Sequence, residues 1–191
     1  VEPAYSDLHN LRAADANVNS ARGNEYFDWS DVEATSYVMP GHAEAPLTSS
    51  DFDSWEPPDE VKGDIARALF YMEVRYTGDV PGEPVLVLTE DVGQINSATN
   101  FMGRLSTLLR WSLEDPVSDA ERARNDGVFA LQGNRNPFVD HPEYVAAVYL
   151  PRLSIEVIPG GVRLRWPVGA LPMRVEAGEG WPIVWMPLTN A

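Results

Sequence analysis

The stretch "SDLHNLRAADANVNSARGN", Ser6 to Asn24, decides how this chain is read. It opens on a polar cluster, Asp7, His9 and Asn10, and closes on an arginine, a glycine and a carboxamide, Arg22, Gly23 and Asn24. Neither end has the composition of a core. Asp15, Asn17 and Asn19 are capping or turn types, and glycine is the residue that most readily ends a helix. A short helix over "ANVNSARG", stopping at Gly23, is therefore expected.

Each end supports two readings. His9, with Asp7 to orient it, is suited to a general base or a metal ligand, or it is a histidine satisfied inside a loop. Asn24 offers a neutral hard oxygen of the kind Mg²⁺ accepts, since that ion keeps most of its waters and needs few protein groups. Arg22 matches a phosphate bidentately. The same Arg22-Gly23-Asn24 also serves as an ordinary helix end, and both roles can hold together. "DHPE", Asp140 to Glu143, has the residue types of a metal site. Pro142 stiffens the link between His141 and Glu143, which favours a structural turn. "WEPP", Trp55 to Pro58, reads as the turn that leads into a helix, with Trp55 packed on the core.

Composition narrows the class. The 191 residues are 44% hydrophobic and carry a net charge of −15, enough for a real core under an acidic surface. No apolar run is long enough to span a bilayer. Cysteine is absent, which removes disulfides and thiolate chemistry. From Arg152 onward four arginines face three glutamates, so the acidic excess lies before that point. Charge alone argues against nucleic acid as a partner. No zinc pattern, phosphate-binding loop or nucleophile elbow is present. The chain starts at Val1, directly before the dense motif, and reads as part of a longer frame.

Outward from the motif, residues 25–58 read as a long irregular loop with one short strand. Asp59–Tyr76, "DEVKGDIARALFYMEVRY", predicts the clearest helix, with Val61, Ile65, Leu69, Met72 and Tyr76 on one face. Pro57 and Pro58 precede it, and acids crowd its first turn. Residues 98–113 predict a second helix, with Phe101, Leu105, Leu108 and Leu109 inward. Ser118 with Glu121 forms a capping box for a third helix, running to about Leu131. After Pro151 short runs such as "LSIEVI" and "GVRLRWP" alternate apolar with polar residues between Gly and Pro turns, the period of half-buried strands.

Three blocks, "SDLHNLRAADANVNSARGN", "WEPPDEVKGDIARALFYMEVRY" and "QGNRNPFVDHPEYV", resemble in this order the bacterial endonuclease I family, over about residues 5–148. The resemblance implies an α+β fold: a mostly helical His-Me finger (ββα-metal) nuclease body over residues 1–150. A truncated β-sandwich-like module would follow over residues 151–191, similar to those appended to secreted bacterial enzymes. It further implies a secreted or periplasmic, Mg²⁺-dependent endonuclease that hydrolyses phosphodiester bonds of DNA, and of RNA, with little sequence preference. Asn24 maps onto the family's metal-ligand asparagine, and Arg22 onto a phosphate-facing catalytic position. Asn19 and Asn10 are expected to bind substrate beside Arg22. His9 falls in the family's second block, where it supports the finger. The expected partner is nucleic acid, with no membrane, and the expected state is a monomer. The family's Glu-His pair, carrying the general base, lies upstream of the Asp-Leu-His-Asn block. A catalytically incomplete nuclease body is therefore expected here. Ala13 stands where the family usually has proline. The alternative is a non-catalytic secreted binding or adhesion protein that reuses the nuclease body.

Overall fold

In chain order the first elements are α1 (Pro3–Ser6), α2 (Ala16–Arg22), β1 (Tyr26–Phe27), β2 (Ser49–Ser50), β3 (Ser54–Glu56) and α3 (Asp59–Arg75). They are followed by β4 (Val87–Thr89), β5 (Phe101–Arg104), α4 (Leu105–Glu114), α5 (Asp119–Gln132), α6 (Pro137–Asp140) and α7 (Tyr144–Tyr149). Four strands close the chain: β6 (Ser154–Ile158), β7 (Gly161–Arg165), β8 (Glu176–Glu179) and β9 (Val184–Pro187). This computed structural model describes residues 3–96, 98–150, 154–159, 161–165, 176–179 and 184–187. It divides into two compact units, residues 1–145 and 146–191.

The first unit is a mixed helix–sheet body. Five short strands form one sheet in the order β2-β3-β1-β5-β4. β1 lies parallel to β3 and to β5, with Phe27 opposite both Trp55 and Gly103, and β4 lies parallel to β5. β2 runs antiparallel to β3. The stretch between residues 25 and 58 thus contributes three strands where the sequence suggests one. Each is two or three residues long, too short for alternation to show.

α3 is the spine of the unit. Pro58 stands at its start, Asp59 and Glu60 in its first turn and Arg75 in its last, as the helix dipole favours. Its buried face is the expected one only toward its end. Met72 and Tyr76 are buried as expected, but Val61, Ile65 and Leu69 are half-buried, and Ala66, Phe70 and Tyr71 take the core positions beside them. Two charged residues explain the rotation. Lys62 Nζ lies 2.7 Å from both Glu56 Oε1 and Asp59 Oδ1, and 3.9 Å from the Trp29 ring. Arg67 binds the carboxylate of Glu121 from α5. With these charges partnered, α3 turns its Lys62–Arg67 side inward. Burying Phe70 alone contributes about 1.5–3 kcal/mol.

The second expected helix is also corrected. Phe101–Arg104 is strand β5, and the helix begins at Leu105. Gly103 weakens a helix there, and its position between β1 and β4 supplies strand partners instead. α4 then packs along α3, burying Leu108, Leu109 and Trp111. α5 begins as expected, with Ser118 Oγ accepting from the Glu121 amide at 3.1 Å, and ends at Gly133 in the left-handed region, φ 84°. Only half of the capping box forms, because the Glu121 side chain turns to Arg67. Trp55 is buried, and α3 begins three residues after β3.

In the second unit β6 pairs with β7 and β8 with β9, both antiparallel. Among the described residues no helix is long and apolar enough to cross a membrane.

Candidate active site

α2 carries the closing half of the opening motif. Asp15 Oδ1 accepts from the amides of Asn17, at 2.8 Å, and Val18, at 3.2 Å, fixing the helix start. Gly23, with φ 55°, ends it by donating to Asn19 O at 3.1 Å, and a side chain in that conformation would be strained. α2 buries none of its residues. Its caps hold it, and it presents Arg22 and Asn24 at the edge of β1.

Arg22 is half-buried. Its Nη1 donates to Glu25 O at 2.8 Å, and its guanidinium carbon lies 5.0 Å from the centre of the Phe27 ring. Burial lowers its pKa, against the pull of Glu25, but an arginine keeps its charge. The planar group is thus fixed by one bond and one ring, with other N–H groups left to donate. Burial raises the Glu25 pKa, the Asp51 charge adds to this, and one Glu25 oxygen is buried without a hydrogen-bond partner among the described residues.

Two clefts meet at this point. One, of about 410 Å³, is lined by Asn10, Arg22, Asn24 and Glu25 together with Tyr5 and Phe101. The other, of about 620 Å³, shares Asn10 and Arg22 and adds Asn19, with Ile65 and Leu69 of α3 in its wall. The structure therefore brings Arg22 and Asn10 to both clefts, Asn24 to one and Asn19 to the other. Among the described residues none hydrogen-bonds to the carboxamides of Asn10, Asn19 or Asn24. In the second cleft Arg12 and Asp64 form an ion pair at 3.2 Å.

His9 lies elsewhere. It is 3% exposed, its Nε2 is 3.2 Å from Asn134 O, and its ring centre is 4.5 Å from that of Tyr71. A contact with a carbonyl places the ring proton on Nε2, which donates. Burial lowers its pKa, outweighing the Asn134 carbonyl and the Asp7 charge that favour protonation. Asp7, beside it, accepts from four donors: the His9 amide, Tyr71 and Tyr76 hydroxyls and Gln132 Nε2, all at 2.8–2.9 Å. Burial pushes its pKa up, and these donors together bring it below the ordinary value. The Asp7-His9 pair thus ties the segment before α2 to α3 and to the end of α5. None of the three histidines lines either cleft.

Asp140 forms ion pairs with Arg135 at 2.7 Å and accepts from Asn125, while His141 meets Glu143 on the exposed surface at 3.1 Å. Among the described residues no three His, Cys, Asp or Glu side chains gather as a metal site. The roles of Glu25 and of the Tyr71–Tyr76 pair were not read from the sequence. A tyrosine on a buried helix face needs a partner for its hydroxyl, and that need is the signal that could have pointed to Asp7.

A mixed helix–sheet body with free carboxamides and a fixed arginine at one cleft junction suits the positioning of an anionic, hydrogen-bonding ligand. Residues 1–143 match the family described as Endonuclease I, and the chain belongs to that family. It is similar to two proteins named extracellular ribonuclease, from Bacillus subtilis (strain 168) and Bacillus amyloliquefaciens. Each is 48% identical over 145 residues, covering 75% of this chain and 46% of the relative. A protein named Endonuclease-1, from Buchnera aphidicola subsp. Acyrthosiphon pisum (strain APS), is 28% identical over 136 residues, 70% of this chain and 44% of its own. The chain thus spans a little under half the length of the curated relatives it matches.

Proposed function

We propose that this chain is the body of an extracellular, metal-dependent endonuclease that hydrolyses phosphodiester bonds of nucleic acid, DNA and RNA alike, with little sequence preference. The observation that carries this reading is the junction of the two clefts. There Arg22, held by Glu25 O and the Phe27 ring, stands beside the uncommitted carboxamides of Asn24 and Asn10. Family membership and the names of the relatives support it. On this reading α2 is the helix of a His-Me finger, and the β6–β7 and β8–β9 hairpins are the start of a β-sandwich module.

The donor set fits a Mg²⁺ ion in part. Asn24 is exposed on the cleft and offers an unbonded carboxamide oxygen, and a largely hydrated Mg²⁺ needs one or two protein oxygens. When bound, such an ion neutralises charge that develops on the phosphate. The chain's own residues orient the substrate. Arg22 donates to the non-bridging oxygens of the scissile phosphate, and its fixed plane reduces the ordering needed for reaction. Asn10 and Asn19 position the flanking sugar–phosphate groups. The histidine that abstracts a proton is not assigned to His9, which is engaged by Asn134, nor to His42 or His141, which lie off the clefts.

Cleavage of supercoiled plasmid and of RNA tests this reading, with Mg²⁺ and after chelation by EDTA, for the parent protein, meaning the full reading frame that holds these residues, and for Asn24→Ala in the same frame. The expected result is metal-dependent cleavage that falls at least about 100-fold in Asn24→Ala. The melting temperature should stay put, since Asn24 is exposed. Nucleic acid left intact by the parent protein with metal present overturns it.

A further inference from the structure

We infer that the cleft of about 410 Å³ takes an unpaired nucleobase of the substrate strand, which makes single-stranded nucleic acid the preferred substrate. This rests on the nuclease reading and deepens it. The volume lies within the range of about 300–1,000 Å³ typical of small-molecule sites. Its walls are more apolar than polar, with Phe101 of β5 on one side and Tyr5 of α1 at the mouth. Tyr5 is 77% exposed, so its ring is open to a stacking partner. Every base has a π-face, and a ring placed this way stacks on any of them.

Beyond Asn24 and Asn10, which the nuclease reading gives to metal and sugar–phosphate, the cleft holds a polar group suited to a base edge. The Asn100 carboxamide lines it and has no hydrogen-bond partner among the described residues. It offers a donor and an acceptor side by side, the pattern that reads base edges. Among the described lining residues Arg22 is the one cation, and Glu25 opposes it with a negative charge that repels phosphate. A protein of net charge −15 with one cleft arginine cannot hold duplex nucleic acid by counterion release alone. Stacking and carboxamide contacts supply binding that does not need a basic surface, but they require the base to be out of a duplex. Arg22, at the cleft's edge, would then hold the adjoining phosphate.

Fluorescence anisotropy of the 191-residue chain in EDTA tests this, with fluorescein-labelled oligo(dT), oligo(U) and a DNA duplex of equal length. The single strands should bind more tightly than the duplex. Raising salt from about 50 to 200 mM should weaken single-strand binding by roughly threefold, as one phosphate contact predicts. Tyr5→Ala should weaken it about 5- to 100-fold, and Tyr5→Phe should keep it. Phe52→Ala, at an exposed aromatic that does not line the cleft, should change nothing. Equal or tighter duplex binding, or Tyr5→Ala binding like the parent, overturns the base cleft. The two readings fail separately. Binding of oligo(dT) through Tyr5 with no cleavage by the full reading frame sinks the nuclease reading alone, and cleavage by that protein while Tyr5→Ala binds like the parent sinks the base cleft alone.

Discussion

The guanidinium of Arg67 and the carboxylate of Glu121 meet across 54 positions of sequence, with Nε 2.8 Å from Oε1 and Nη2 2.6 Å from Oε2, both side chains withdrawn from solvent. Arg67 Nη1 also donates to Asp115 O at 2.9 Å, so this contact joins α3 to the α4–α5 connection. Glu121→Ala leaves the buried guanidinium with only the longer 3.4 Å contact to Asp64 as a charge partner, and should cost about 3–5 kcal/mol in urea unfolding. The double variant Arg67→Met/Glu121→Leu should be more stable than Glu121→Ala, since neither charge remains to be solvated. Additive losses in the double variant would contradict this account.

His9 makes stability depend on pH below neutrality. Its folded pKa is lowered, burial being the largest cause, while the unfolded histidine takes up a proton near pH 6.5. The unfolded state therefore binds more protons as pH falls through that value, and stability should fall with it until the folded pKa is reached. His9→Ala should remove this limb and cost about 1–3 kcal/mol at neutral pH through the lost Asn134 bond and Tyr71 packing. Calorimetry between pH 5 and 8 checks it, and equal slopes for the two proteins would refute it.

Asp7 acts in a lower window. Burial alone would raise its pKa, but its four donors bring it below the ordinary value near 4. The stabilisation is therefore present above the unfolded pKa and is lost as pH falls through the folded one. Asp7→Asn cannot satisfy the same donors and should cost about 1–3 kcal/mol at pH 7 while flattening acid unfolding below about pH 4. Near-UV circular dichroism reports this through Tyr71 and Tyr76, whose hydroxyls bind Asp7 directly.

Two helical glycines should respond to alanine with opposite signs. A Cβ on Gly63 would sit 1.9 Å from Asp115 O, and the Gly63 amide donates to Asp115 Oδ2 at 2.8 Å. Gly63→Ala should push α3 off this contact and cost about 1–3 kcal/mol or more. A Cβ on Gly127, inside α5, meets nothing within 4 Å. Gly127→Ala should stabilise by about 0.5–1 kcal/mol. Thermal melts of the two variants decide both.

The elements that the sequence made legible are those with local chemistry. Asp15 and Gly23 bound α2, two prolines and two acids announce α3, and Ser118 starts α5. What stayed hidden is set by contacts distant in sequence. β1 and β5 pair through Phe27 and Gly103, a register that no local period records. The first half of the α3 face was misread, at Val61, Ile65 and Leu69, because the burial of Lys62 and Arg67 depends on Glu56, Asp59 and Glu121 being brought to them, whereas Met72 and Tyr76 are buried as expected. Of the site, the residue types at Arg22 and Asn24 were readable from their spacing, whereas the cleft that joins them to Asn10 and Tyr5 exists only after folding. The corrected face makes its own forecast: Phe70→Ala should cost about 3–5 kcal/mol, and Leu69→Ala, half-buried at a cleft wall, less than half as much. Chemical denaturation of both variants tests it.

Because α2 fully buries none of its residues and is held by its caps and one bond from Asn17 to Glu44, its exposed positions Ser20 and Ala21 are decoupled from the energetics of the body. They can drift while Asp15, Asn17 and Gly23 keep the helix in place, and Arg22 and Asn24 are delivered to the same spot. Such an arrangement lets a lineage change the surface beside Arg22 and Asn24 one substitution at a time, without passing through an unfolded intermediate. The same property makes α2 the natural place to graft new contacts, since a failed design there would lose function and leave a folded protein to improve.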